Sequence, residues 1–92
     1  MIITKEIRDE LEKRNWYSLG YSDYPNYEFT KDLRCVTKNM TRGRVKANIN
    51  PDRGVRFIPC GKKKFDEKDA EAMTKLISEF MRIMGKHGFT LG

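Results

Sequence analysis

The stretch from Arg44 to Gly54 constrains the fold more than any other part of the chain. Val45, Ala47 and Ile49 alternate with Arg44, Lys46 and Asn48, the period-two pattern of a half-buried strand. Asn50-Pro51-Asp52-Arg53-Gly54 then reads as a type I turn that closes on a glycine free to take positive φ. A second extended run follows at residues 55–60, with Val55 and Phe57 on one face and Arg56 and Ile58 on the other. The result is an antiparallel hairpin with one apolar face, and that face needs a cover.

Two helical patterns supply the cover. Over residues 5–15, Ile3, Ile7 and Leu11 recur every four positions, Thr4 is placed to cap, and Glu6 sits in the first turn where the helix dipole favours an acid. Asp9 with Lys13 and Glu10 with Arg14 form i,i+4 pairs in the favourable order. Over residues 67–84, Ala70, Met73, Leu76, Ile77, Phe80, Ile83 and Met84 make a broad apolar stripe. Asp66 is the expected N-cap, with Asp69 at the third position as an imperfect capping box and Phe65 with Ala70 as a hydrophobic staple. Gly85 is the expected stop. Met73, Met81 and Met84 read as core filler.

Residues 27–38 read as the first strand, with Leu33, Cys35 and Thr37 on one face and Arg34, Val36 and Lys38 on the other. Residues 39–43 reverse the chain. The expected fold class is α+β: a three-stranded antiparallel sheet flanked by an N-terminal helix and a longer C-terminal helix. Phe89 and Leu91 alternate in the tail, a candidate for a short fourth strand. With 92 residues the expectation is one small basic domain over residues 1–92, with a modest core.

Six of the ten aromatics fall within the fourteen residues 16–29, from the end of the first helix into the first strand: Trp16, Tyr17, Tyr21, Tyr24, Tyr27 and Phe29. Gly20 and Pro25 break regular structure there. Trp16 and Phe29 are expected in the core. Tyr17, Tyr21 and Tyr24 have two readings, as rings that seal a gap or as partner-contacting rings that stack on bases or meet a protein.

Charge is distributed unevenly. Between residues 31 and 64, eleven basic residues stand against two acids, Asp32 and Asp52, a net of +9. The rest of the chain has eight basic residues and eleven acids, a net of −3, within a total of +6. A segment so charged repels itself, and a polyanion relieves the strain. Period two places Arg34, Lys38, Arg44, Lys46 and Arg56 on the face opposite the apolar set, where antiparallel pairing would bring like charges side by side. Arg42 and Arg53 extend that surface from the turns. Lys62, Lys63 and Lys64 precede the last helix, whose N-terminus offers unpaired N–H groups to a phosphate. The expected partner is therefore nucleic acid, RNA or DNA, or a ribonucleoprotein. The bland alternative is a set of charges that serves solubility.

Other classes lack support. The chain has one histidine, no nucleophile motif, no P-loop and no Gly-rich dinucleotide turn, so neither catalysis nor a small-molecule substrate or cofactor is expected. Cys35 and Cys60 are too few for a zinc site, and His87 has no ligand-spaced companions, so no metal is expected. The two cysteines are expected reduced and buried, with a disulfide as the alternative. No apolar stretch has signal or membrane-spanning length, so a cytoplasmic location without membrane contact is expected.

The order helix, three strands, helix, with Pro25, Tyr27 and Glu28 entering the first strand and Gly61-Lys62-Lys63-Lys64 opening the last helix, resembles the double-stranded RNA-binding domain over residues 5–84. That resemblance implies phosphate contacts by Lys62, Lys63 and Lys64, and minor-groove contacts near Arg8 and Arg42. The chain departs from the family in its longer aromatic linker, in a loop without histidine, and in having only Ala70 and Ala72 where the family has an alanine run. The sheet also resembles the three-stranded DNA-binding domains of phage integrases, which implies groove reading by Arg34, Arg44, Lys46 and Arg56. In size and charge the chain is similar to phage-encoded inhibitors of the anti-CRISPR type. That likeness implies docking on a guide-RNA complex so that target nucleic acid is blocked.

Overall fold

The computed structural model describes residues 4–18, 27–37, 42–50 and 54–88. Helix α1 (Lys5–Lys13) is followed by strands β1 (Tyr17–Ser18) and β2 (Tyr27–Asp32), a 3-10 turn (Leu33–Cys35), strands β3 (Arg44–Asn50) and β4 (Gly54–Cys60), and helix α2 (Glu67–Lys86). The fold is α+β. The four strands form one antiparallel sheet in the order β1-β2-β3-β4.

Strands β3 and β4 pair as the hairpin pattern predicts, while the expected turn residues Pro51, Asp52 and Arg53 lie outside the described residues. Val45, Ala47 and Ile49 are buried, and they pair across β4 with Pro59, Phe57 and Val55. Gly54 opens β4 with φ +92°, where a side chain would be strained. The fourth strand is a correction in place. It is Tyr17–Ser18, drawn from the aromatic linker and paired with Phe29 and Thr30. The tail candidates Phe89 and Leu91 lie outside the described residues, as does Ile3.

The first strand is shorter than its apolar pattern suggested. It ends at Asp32, whose carboxylate accepts from the backbone N–H of Arg34 at 2.9 Å and caps the 3-10 turn. Leu33 is the one buried residue of that turn. Cys35 is exposed and Cys60 half-buried, with no disulfide between them, so the burial expected of both is corrected. Arg34 consequently leaves the sheet face for the turn.

Both helices cover the apolar face. Ile7 and Leu11 of α1 join Trp16, Phe29, Leu33 and the inner residues of β3 in one core cluster with Ala72, Leu76, Phe80, Ile83 and Met84 of α2. Phe80 is its hub, with ring centroids at 4.8 Å from Trp16, 6.2 Å from Phe29 and 5.6 Å from Phe57. Thr4 caps α1, its hydroxyl accepting from Ile7 N–H, and α1 ends two residues early at Lys13. Asn15 follows with φ +66°, the left-handed conformation that asparagine tolerates after a helix.

The N-terminus of α2 carries a complete capping box. Asp66 accepts from Asp69 N–H at 2.8 Å, and Asp69 accepts from Asp66 N–H at 3.1 Å. Because Asp69 turns inward, the stripe is rotated from its expected position. Asp69 and Ala72 are buried and Ala70 is exposed, while Phe65 still packs on the core. Gly85 remains inside the helix, which ends at Lys86 with His87 as C-cap and Gly88 at φ +82°.

One lysine behaves unlike a surface residue. Lys31 sits on the inner face of β2, 5 % exposed, between Phe29 and Leu33. Its Nζ lies 2.6 Å from Glu79 Oε1, the same oxygen that accepts from Trp16 Nε1–H at 2.8 Å, and 5.9 Å from the Trp16 ring centroid. Partial burial disfavours the charged Glu79 carboxylate. The hydrogen bonds from Lys31 and Trp16, with the charges of Lys31 and Arg14, outweigh it and hold the carboxyl below its ordinary range. Among the described residues, no helix is long and apolar enough to cross a membrane.

Candidate nucleic-acid interface

The register decides where the cations go. Arg44 pairs with Cys60 across β3 and β4, so residues just before Arg44 and just after Cys60 lie at the same end of the sheet. Two contacts confirm it. Leu33 N–H donates to Gly43 C=O at 3.0 Å, and a Cβ on Gly61 would stand 2.5 Å from the Arg42 carbonyl oxygen. Beyond the row Leu33, Gly43, Gly61, three segments converge: the 3-10 turn with Arg34, the approach to β3 with Arg42, and the link from Gly61 to α2 with Lys62, Lys63 and Lys64.

The basic residues there divide by their engagements. Arg34 clamps Asp32, with Nε at 3.3 Å from Oδ1 and Nη2 at 3.2 Å from Oδ2. Partial burial of Asp32 opposes its ionisation. The hydrogen bonds from the Arg34 side chain and backbone, with the Arg34 and Arg44 charges, prevail and keep its carboxyl below the usual range. Lys62 pairs with the buried Asp69 carboxylate and lies 5.5 Å from the Phe65 ring centroid, so it serves the helix start. Arg42, Arg44, Lys63 and Lys64 are exposed and form no ion pair among the described residues.

The outer sheet face differs from the expected basic one. Asp32 pairs with Arg44 in register, Glu28 with Asn48, and Asn48 with Arg56, while Lys46 stands between Thr30 and Ile58. Asn48 Nδ2 also donates to Glu28 at 3.3 Å. Like charges are therefore interleaved with acids and neutral groups, which removes the predicted side-by-side repulsion. The three sheet cations Arg44, Lys46 and Arg56 remain on this face, and no described element covers it. Lys38, Arg53, Tyr21 and Tyr24 lie outside the described residues.

Sequence reasoning treated the three lysines and the sheet as two surfaces. Hairpin arithmetic was the signal that joins them, since residue 60 opposite residue 44 forces their neighbours together. It also missed a concavity of about 300 Å³ on the outer face beside this end, lined by Asn15, Tyr17, Thr30, Asp32, Cys35 and Arg44. A second, more open groove lies between α1 and the end of α2. There Glu10 meets Lys86 at 3.2 Å and His87 at 3.0 Å, and Glu6 and Asp9 add acid, so its mixed charge does not suit a polyanion. Among the described residues no group of His, Cys, Asp and Glu is placed to hold a metal.

Gly61 welds the converging segments. It has φ +93°, and any Cβ would collide with the Arg42 carbonyl. Gly61→Ala is expected to destabilise the domain by at least about 1 kcal/mol in urea unfolding.

No protein-family model, no curated protein and no solved structure matches this chain.

Proposed function

We propose that the protein binds nucleic acid without base specificity at the phosphates, through the end of the sheet where Arg42, Arg44, Lys63 and Lys64 converge. The observation that supports this reading is the convergence itself. Four exposed cations from two separate segments share one end with no ion pair among the described residues, while Lys31, Arg34 and Lys62 are held by acids. Phosphates would supply counter-charge to these four, of which Arg44 also faces an acid, Asp32, across the strands. Arg44 leads from this end onto the outer face, where Lys46 and Arg56 extend the path for a backbone that continues across the sheet.

A second reading keeps the same cations but gives them a nucleoprotein, as an inhibitor that occupies a nucleic-acid channel. The exposed Tyr17 beside Arg44 favours it, because an aromatic next to cations also suits a mixed protein and nucleic-acid surface. Fluorescence anisotropy with labelled naked RNA and DNA at about 150 mM salt separates the two readings. Binding to naked oligonucleotide supports the first. Absence of such binding, together with capture of a nuclease-sensitive complex from lysate, supports the second. Failure of both removes the proposal.

A further inference from the structure

We propose that the concavity beside Arg44 is a subsite for one unpaired nucleobase, so that single-stranded or looped nucleic acid is the preferred ligand. The inference rests on the nucleic-acid reading above and names the form of nucleic acid that site takes.

Tyr17 forms one wall and is 57 % exposed, the single large apolar side chain so exposed among the described residues. Two contacts favour one orientation of the ring. β1 pairs Tyr17 with Thr30, and the Tyr17 hydroxyl donates to Asn15 Oδ1 at 3.3 Å. Asn15 is itself fixed by its left-handed backbone and by an N–H donated to Glu12 C=O. The Thr30 hydroxyl is spent on Val45 C=O at 3.2 Å, which leaves the floor poor in free donors. A ring held this way offers a face for stacking at low entropic cost.

The rim adds polar groups of both kinds. Asp32, kept ionised by Arg34, is an acceptor for a base's amino or imino hydrogens. Arg44 places a cation at the mouth, on the side where the basic end begins, and can take the phosphate attached to the stacked base. A volume of about 300 Å³ is at the small end of ligand pockets, which suits one base and not a run of them. A base inside a duplex cannot turn its face to Tyr17 without leaving its stack, whereas one in a single strand can. Stacking tolerates every base, so the subsite selects strandedness more than sequence.

The test is anisotropy with a labelled 12-nucleotide single strand and the matching duplex, for wild type, Tyr17→Ala and Tyr17→Phe. The expected result is tighter binding of the single strand by wild type. Tyr17→Ala should weaken single-strand binding roughly 10-fold and change duplex binding less than about 2-fold, and Tyr17→Phe, which keeps the ring and its place in β1 but loses the hydroxyl bond to Asn15, should recover most of the affinity. Circular dichroism of each variant confirms that the fold persists. Salt-sensitive wild-type binding that Tyr17→Ala leaves unchanged, or lowers equally for both ligands, overturns the base subsite alone. Loss of all wild-type binding overturns the subsite and the nucleic-acid reading together.

Discussion

Reversing three charges, with Arg42→Glu, Arg44→Glu and Lys63→Glu combined, should lower affinity for naked nucleic acid by at least about 100-fold at physiological salt. The expectation follows from position. All three side chains are exposed and make no ion pair among the described residues, so Arg42→Glu and Lys63→Glu should each cost within about 0.5 kcal/mol of stability, and Arg44→Glu, which sets a carboxylate opposite Asp32, up to about 1 kcal/mol. The loss would therefore belong to binding. Net charge is the competing explanation, and a control addresses it. Lys75 and Arg82 are exposed on α2, the helix that packs on the opposite face of the sheet from Arg44. Lys75→Glu with Arg82→Glu should shift affinity by only a few fold, because charges more than about 8 Å from the ligand are largely screened at 0.15 M salt. Equal losses in the two sets would mean that total charge, not the convergent end, governs binding. Anisotropy titrations of both variants against one oligonucleotide make the comparison.

The second large effect concerns stability. Glu79→Ala is expected to destabilise the domain by about 3 kcal/mol, because it strands the buried Lys31 ammonium and leaves Trp16 Nε1–H without its acceptor. Against a total of about 5–10 kcal/mol for a domain this size, such a loss brings the variant close to unfolding at moderate temperature. Pairing Glu79→Leu with Lys31→Met should recover the part due to the stranded charge, since the desolvation cost of both charges then disappears, while Trp16 Nε1–H still lacks its acceptor. The same cluster predicts a pH dependence. Glu79 has its carboxyl pKa lowered in the folded state. Its contribution is therefore fully present above the ordinary carboxylate range and is lost as pH falls through the lowered folded value. Urea midpoints measured from pH 7 downward should show this acid weakening in wild type and a smaller one in Glu79→Gln.

Much of the scaffold was legible because local chemistry and global packing agree there. Val45, Ala47 and Ile49 alternate and are buried, Asp66 caps α2, and Trp16 and Phe29 enter the core. The departures have identifiable causes. Asp32 ended β2 early by capturing the Arg34 N–H, a competition that side chains of this kind often win. Ala70 and Asp69 exchanged places because the capping box draws Asp69 inward and Lys62 neutralises it. Lys31 looked like one more surface cation, yet it shares the inward parity of Phe29 on β2, and its partner Glu79 is forty-eight residues away. Long-range pairing of that kind has no local signature.

The candidate site was legible in its residue types and not in its arrangement. The count of eleven basic residues against two acids pointed to a polyanion. The sheet face drawn from it was too uniform, because Glu28 and Asp32 of β2 stand among its cations. The pairing of Arg44 with Cys60 moved the emphasis to one end, and the short β1 put Tyr17 beside it.

The most direct test is the salt dependence of binding to a naked single-stranded oligonucleotide between about 50 and 300 mM salt. Engagement of the four cations Arg42, Arg44, Lys63 and Lys64 predicts a slope of log K against log salt near −3, about −0.7 for each phosphate neutralised. In the triple charge-reversal variant the slope should fall toward zero along with the affinity. A slope near zero in wild type, or one that the variant leaves intact, would contradict phosphate binding at this end of the sheet.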